Sequence, residues 1–234
     1  EPEEFTTEDD IQLPNSGFED WYTDSDGLPK PAKDASSSFW DCGNVNYFGK
    51  HIMTTQNDET ALGQGSSVKM ETQETMKIIA AGNIFTGTFE RDGMGGILTL
   101  GRNFECRPNK LKGYYKYTSA KVSVSKGHLN EGEDDLCSLY IALTDEQITV
   151  NTNKGIYFDP NSSAVIAYGS ISDEESKGAD SFKEFTVDLE YKDLKRIPKY
   201  IIVVASSSKY GDYMEGGKGS TMWLDDLELV YPKS

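Results

Sequence analysis

An all-β fold, a two-sheet antiparallel β-sandwich of jelly-roll type, is the architecture this sequence predicts, and three observations predict it. Short runs in which apolar and polar residues alternate with period two recur along the chain. The 22 glycines, 13 tyrosines and 10 phenylalanines suit short strands joined by tight turns. Outside one turn at 192–196, no stretch keeps a helical period.

Taken in order, residues 1–12 are acidic and poor in core residues, and read as a linker or disordered arm. Residues 13–232 show neither an internal repeat nor a break in composition, so one jelly-roll domain is expected there. The stretch 13–21 carries Phe18 and Trp21 and reads as a first strand, followed by a loop at 23–38 rich in Asp, Gly, Pro and Ser. Strands are expected at 66–73, 78–81, 96–101 and 111–119, with Val122 and Val124 continuing the last of these. In 136–144 Leu139, Ile141 and Leu143 alternate, and 164–168 is a short apolar run. Residues 173–180 read as a charged loop. The clearest alternation places Phe185, Val187, Leu189 and Tyr191 on one side. Residues 200–205 are almost wholly apolar, as in a strand covered on both faces. The last strand, 220–231, puts Trp223, Asp225, Leu227 and Leu229 on one side by the same period, which marks that side as core.

Composition excludes some partners. With 39 acidic and 23 basic residues the net charge is −16, a field that repels phosphate backbones and anionic lipid heads. Neither nucleic acid nor direct bilayer insertion is expected. Three widely spaced cysteines, Cys42, Cys106 and Cys137, form neither a disulfide framework nor a zinc pattern. One bridge or buried thiols both fit them.

Within the last strand Asp225 is a carboxylate among core residues, where burial of a charge is costly unless it is paired or metal-bound. Glu19, at the other end of the chain, is its candidate companion. Hard cations take six to eight oxygens, mixing carboxylates and carbonyls. A structural calcium held by Glu19, Asp225 and a carbonyl near Gly17 would join the first strand to the last.

Asn15-x-Gly17-Phe18-Glu19-x-Trp21 and Trp223-Leu224-Asp225-Asp226-Leu227-x-Leu229 resemble the two ends of jelly-roll carbohydrate-binding modules of the galactose-binding-like type. The resemblance implies a structural calcium on the Glu of the first element and an Asp of the second. A similarity over nearly the whole chain runs through Gly65-Ser66-Ser67-Val68, Ala80-Ala81-Gly82-Asn83-Ile84-Phe85-Thr86-Gly87 and Gly113-Tyr114-Tyr115-Lys116-Tyr117. It continues through Ile197-Pro198, 200–208, Gly211-Asp212-Tyr213 and Gly219-Ser220-Thr221. In these elements the chain resembles the putative carbohydrate metabolism domain of surface and secreted proteins of Bacteroides-type bacteria. That resemblance implies export to the periplasm or cell surface, with a lipoprotein anchor and a neighbouring immunoglobulin-like domain as its common setting.

For a saccharide, rings stack on pyranose faces and Asp or Asn takes the hydroxyls. Trp40 with Asp41 and Asn44 is the first candidate cluster, since it sits in a loop-rich region. Tyr210, Asp212 and Tyr213, in a Gly-containing loop before the last strand, form the second. Trp21 and Trp223 are assigned to the core. Glycoside hydrolysis would need two carboxylates, about 5–5.5 Å apart for retention or 6.5–9.5 Å for inversion. Asp188 and Glu190, two apart on a strand, would lie roughly 6.6–6.8 Å apart along it. His51 and His128 have no partner at telling spacing, and Gly93-Met94-Gly95-Gly96 lacks the context of a phosphate loop. The first expectation is a non-catalytic carbohydrate-binding accessory module. A glycoside hydrolase working through Asp188 and Glu190 is the second, and a structural or adhesin-like surface domain the third.

Overall fold

In the computed structural model, which describes residues 11–232, two antiparallel sheets of five and nine strands enclose the core. Among the described residues there is no α-helix, so the chain is all-β. The smaller sheet runs in the order Ala179–Asp188, Lys110–Thr118, Thr221–Val230, Ser67–Glu71, Thr54–Asn57. The larger runs Ile148–Asn151, Gly95–Leu100, Asn83–Asp92, Tyr200–Ser206, Ser138–Thr144, Val165–Ser170, Glu190–Tyr191. Two short strands join it at the side, Arg102–Asn103 on Tyr200–Ser206 and Trp40–Asp41 on Asn83–Asp92.

The period-two pattern explains which side of each strand turns inward. Leu111, Tyr115 and Tyr117 face the core while Lys110, Lys112 and Lys116 do not. Phe185 and Val187 join them from the neighbouring strand, and Ile84, Leu139, Ile141, Leu143, Ile201, Val203 and Ala205 meet them from the larger sheet. Each such aliphatic or aromatic side chain contributes about 1.5–3 kcal/mol by leaving water. Strand Tyr200–Ser206 is covered on both faces, because Ile202 belongs to a second apolar cluster on the outer side.

Four expectations change. The stretch 13–21 is a loop, not a strand, with Asn15 and Phe18 in the left-handed region at φ 50° and 55°. It still closes the molecule on the last strand, since the Leu227 amide donates to the Ser16 carbonyl at 3.0 Å. Gln12, expected in the arm, brackets Leu229: its side chain accepts from the Leu229 amide at 2.7 Å and donates to the Leu229 carbonyl at 2.8 Å. Residues 1–10 of that arm lie outside the described residues.

The second change lies within the last strand. Lys112 faces Glu228 but Tyr114 faces Asp225, so the last strand carries an extra residue, a bulge, opposite Gly113. Asp226 occupies it at φ 46°. Met222 and Leu224 face the core before the bulge, and Leu227 and Leu229 after it. Trp223 and Asp225 therefore sit on the outer face, not beside Leu227 and Leu229. Trp223 is only half-buried, with the Lys116 ammonium 4.5 Å from its ring centroid. Gly113 is required opposite the bulge, because a Cβ there would stand 2.7 Å from Leu227 Cδ2 and 3.0 Å from Phe185 Cε1.

The third change is at 192–196, where no helical turn forms. The Asp193 carboxylate accepts the amides of Lys195 at 2.8 Å and Arg196 at 3.0 Å, and that local bonding bends the chain. The charged loop at 173–180 is shorter than expected, holding the 3-10 turn Glu175–Lys177 and giving way to strand at Ala179. No helix is long and apolar enough to cross a membrane among the described residues.

Candidate functional site

The side of the larger sheet turned away from the core carries the second apolar cluster: Phe85, Leu98, Leu100, Ala142, Val150 and Ile202, with Phe89, Tyr140, Phe158 and Tyr168 packed against it. A face of this kind, left partly uncovered by loops, is where a ligand can be held against a rigid floor. Next to it lies a cavity of about 300 Å3, of which Phe89 and Leu98 form part of the wall.

Three hairpins and one turn enclose that cavity. Val45–Asn46 pairs with Lys50–His51, Gln73–Thr75 with Ile78–Ala80, and Asn83–Asp92 with Gly95–Leu100. Their tips present Phe48, Met76 and Met94 at its rim, at 95%, 84% and 58% exposure. Large apolar side chains so exposed and so close together mark an interaction surface more than a solubility surface. Phe48, Met76 and Met214, which line the cavity, also have positive φ of 52°, 50° and 58°. Such conformations cost energy and cluster at working sites. On the polar side, Arg91 lies over the Tyr47 ring at 4.2 Å and donates to the Gly93 carbonyl at 3.0 Å.

The fourth wall is the 3-10 turn Gly211–Tyr213. Gly211 lets it press against the second hairpin, since a Cβ there would stand 2.4 Å from the Ala81 Cβ. The turn aims Asp212 at the cavity and carries Tyr213 on its other side. Asp212 accepts no hydrogen bond from the described residues, and burial raises its carboxyl to about 6. Its charge reaches Tyr140 on the sheet floor, whose phenol is pushed well above its ordinary value, first by burial and then by Asp212.

Beside the turn stand four rings in a row. Tyr157 stacks on Tyr213 at 4.0 Å, Tyr213 meets the His128 ring at 4.3 Å, and His128 stacks on Tyr210 at 4.3 Å. None of the three tyrosines is fully buried. A second group, Tyr140, Phe158 and Tyr168, lies on the floor with centroids 4.8–6.1 Å apart. The row is fixed from behind by Glu215, which is buried and accepts from the Leu129 amide at 2.6 Å and the His128 amide at 3.2 Å, with the His128 Nδ1 at 2.8 Å. Burial pushes the Glu215 carboxyl up, but these bonds outweigh it and hold the group below its ordinary value.

Of the two saccharide clusters expected from sequence, the structure brings the second to this face and folds the first into the interior. Trp40 is fully buried, edge-on to Phe18 and Phe39 at 5.4 and 5.9 Å, with its indole donating to the Pro14 carbonyl at 2.7 Å. It has no face to offer a sugar. Asp41 is taken up by Lys30 at 2.7 Å and the Phe89 amide at 2.8 Å. Asn44, 2% exposed, clamps the Met53 and Thr54 amides at 2.9 Å each. These three hold the sheet edge together. The expected carboxylate pair is also absent, because the chain changes sheet at Leu189. Asp188 ends a strand of the smaller sheet, paired with Lys110 at 2.6 Å, and Glu190 begins a strand of the larger. Both are exposed, and neither lines the cavity beside the larger sheet.

Tyr157, Phe158, Tyr140 and the tips at Phe48 and Met76 were not singled out in the sequence, and His128 was set aside for want of a partner at telling spacing. The His128 partner, Glu215, is 87 residues away, beyond any spacing rule. Tyr157-Phe158 after Gly155 is an aromatic pair next to a turn, and that is the one local signal the sequence offers.

A separate cluster of oxygens lies at the closing corner. Glu19 accepts from the Ser66 amide at 3.1 Å and the Ser66 hydroxyl at 3.0 Å, and Asp225 from the Ala61 amide at 2.8 Å. Burial raises the Asp225 carboxyl to about 6, and the charges of Asp226 and Glu19 add to it. A Cβ on Gly17 would stand 3.2 Å from Asp226 Oδ1 and 3.5 Å from Glu19 Oε1, so loop and strand carboxylates converge there. No Lys, Arg or His among the described residues pairs with these three acids. Hard oxygens of this kind are the donor type that a calcium ion takes. The described residues hold no metal-competent group of three or more His, Cys, Asp or Glu, so carbonyls would complete the shell.

Two solved structures share this arrangement of sheets. A protein of Bacteroides thetaiotaomicron described as a putative glycoside hydrolase is 25% identical, with a TM-score of 0.63 over 78% of this chain. The chain spans 58% of the length of that protein. A second, from Bacteroides vulgatus and described in the same words, is 22% identical with a TM-score of 0.60, over 76% of this chain and 77% of that one. No protein of curated function matches the chain. The sequence profile of the putative carbohydrate metabolism domain matches residues 14–230, through both sheets and every wall of the cavity, and the chain belongs to that family.

Proposed function

We propose that the chain is a non-catalytic carbohydrate-binding module whose glycan lies on the outer face of the larger sheet, along Tyr157, Tyr213 and Tyr210. The observation that carries this is the row of half-buried rings beside Asp212, a carboxyl with no hydrogen-bond partner among the described residues. Rings take the apolar face of a pyranose, and an unoccupied carboxylate accepts its hydroxyls. Membership of a carbohydrate family supports the same ligand class. Binding is favoured over hydrolysis because, among the described residues, Asp212 is the only carboxylate in the cavity wall and both hydrolytic geometries need two. A calcium ion held by Glu19 and Asp225 would act far from the rings, as a staple between the loop 13–21 and the last strand. Export to the cell surface or periplasm is the setting in which such a module meets polysaccharide.

A glycan array with wild type, Tyr157→Ala and Tyr213→Ala tests the reading. Wild type binds at least one class of oligosaccharide, both variants bind it at least 10-fold more weakly while keeping their fold, and no reducing ends are released. Release of reducing ends that Asp212→Asn abolishes would overturn it in favour of an enzyme.

A further inference from the structure

We infer that the cavity walled by the three hairpins takes an apolar substituent of the glycan, an aryl or acyl group, while the sugar that carries it lies on the tyrosine row. The inference rests on the carbohydrate reading and names the class of glycan.

The wall is built for such a group. Val45, Met53, Ile79, Phe89 and Leu98 line it, with Phe48, Met76 and Met94 at the mouth. Apolar side chains make up most of this wall, with Gln73, Asn83, Arg91 and Asp212 among them, so a bare hexose would set part of its rim of hydroxyls against apolar surface, a cost of about 1–3 kcal/mol for each polar group left unpaired. A volume of about 300 Å3 lies at the small end for ligand pockets, enough for one ring or a short chain. Methionines add adaptability, since their unbranched, polarisable side chains fit irregular apolar shapes and the edges of aromatic rings.

The polar group in the right place is Asp212. It looks into the cavity from the same turn that bears Tyr213, so it stands where the apolar wall ends and the ring row begins. A hydroxyl next to the glycosidic or ester oxygen of a substituted sugar would donate to it, with the substituent directed inward. Phe48, Met76 and Met214 all stand in the left-handed region around this mouth, at angles that turns more often give to Gly or Asn.

The test compares methyl glycosides with 4-nitrophenyl glycosides of the same sugars by ligand-observed NMR titration. Wild type, Met76→Asp and Asp212→Asn are used, each checked for its melting temperature. The aryl member of a pair binds at least 10-fold more tightly to wild type, and Met76→Asp, a change at an exposed tip, erases the difference. Asp212→Asn weakens the aryl glycosides at least 10-fold. Equal affinity of methyl and aryl members, unchanged by Met76→Asp, would overturn the inference and leave the sugar site standing. Binding of 4-nitroanisole with no binding of any glycoside would overturn the carbohydrate reading itself. A dimer at micromolar concentration that Phe48→Ser dissolves would show that a second copy covers the mouth, and would also overturn the inference.

Discussion

At Asp212 the proposed glycan binding and the stability of the fold pull in opposite directions. Burial without a hydrogen-bond partner raises its carboxyl to about 6, so the folded state holds its proton more tightly than the unfolded chain does. Stability from this group is present below about pH 4 and is lost as pH rises towards about 6. Asp212→Asn is therefore expected to raise the melting temperature at pH 7 relative to wild type, with no gain at pH 4, while glycan binding falls. Equal melting temperatures for the two at pH 7 would remove the energetic basis for calling this carboxyl unoccupied. Trp40 behaves in the opposite way. Trp40→Ala empties a site between Phe18 and Phe39 and should cost about 3–5 kcal/mol in denaturant unfolding. Cys42 and Cys137 are buried thiols pushed up to about 12 by burial, so neither should react with iodoacetamide in the native protein at pH 8.

At the scale of elements, the last strand decides how the molecule closes. Its alternation is legible in the sequence, but the bulge at Asp226 is not, because an extra residue leaves no mark on composition. The period-two reading of Trp223, Asp225, Leu227 and Leu229 therefore runs correctly on each side of residue 226 and fails across it. Deleting Asp226 would turn either Leu227 and Leu229, or Met222 and Leu224, to the outer face, and the protein is expected not to fold. Gly113→Val should destabilise by several kcal/mol, since its side chain meets Leu227 and Phe185. A similar limit applies at Asp188 and Glu190, where perfect alternation conceals a change of sheet at Leu189. Strands and their inward residues were legible because burial on a pleated surface enforces the period. Changes of sheet and bulges answer to long-range pairing and were not.

For the whole molecule, the two ends of the chain meet through Gln12, Ser16 and the last strand, and Glu19, Asp225 and Asp226 gather charge at that corner. Without a cation, the raised Asp225 makes stability fall as pH rises from about 4 to about 6, and calcium should reverse that trend by favouring the ionised form. Thermal melts at pH 5 and 7, with chelator and with calcium, check this, and Asp225→Asn should abolish the reversal. The sequence carried the class of fold well, through its period-two runs and closing motif. It could not tell a buried ring cluster from an exposed one, because Trp40 and Tyr213 are equally aromatic in a string of letters. Only the packing of the sheet edge separates the ring that fills the core from the rings that line its outer face.

The central claim is that the outer face of the larger sheet is the glycan face, and amide hydrogen exchange with and without a saturating oligosaccharide tests it most directly. The account predicts added protection at 152–158 and 209–215 and in the hairpin 73–80, with the smaller sheet unchanged. Protection confined to the smaller sheet or to the Glu19–Asp225 corner, with these segments unaffected, would contradict it.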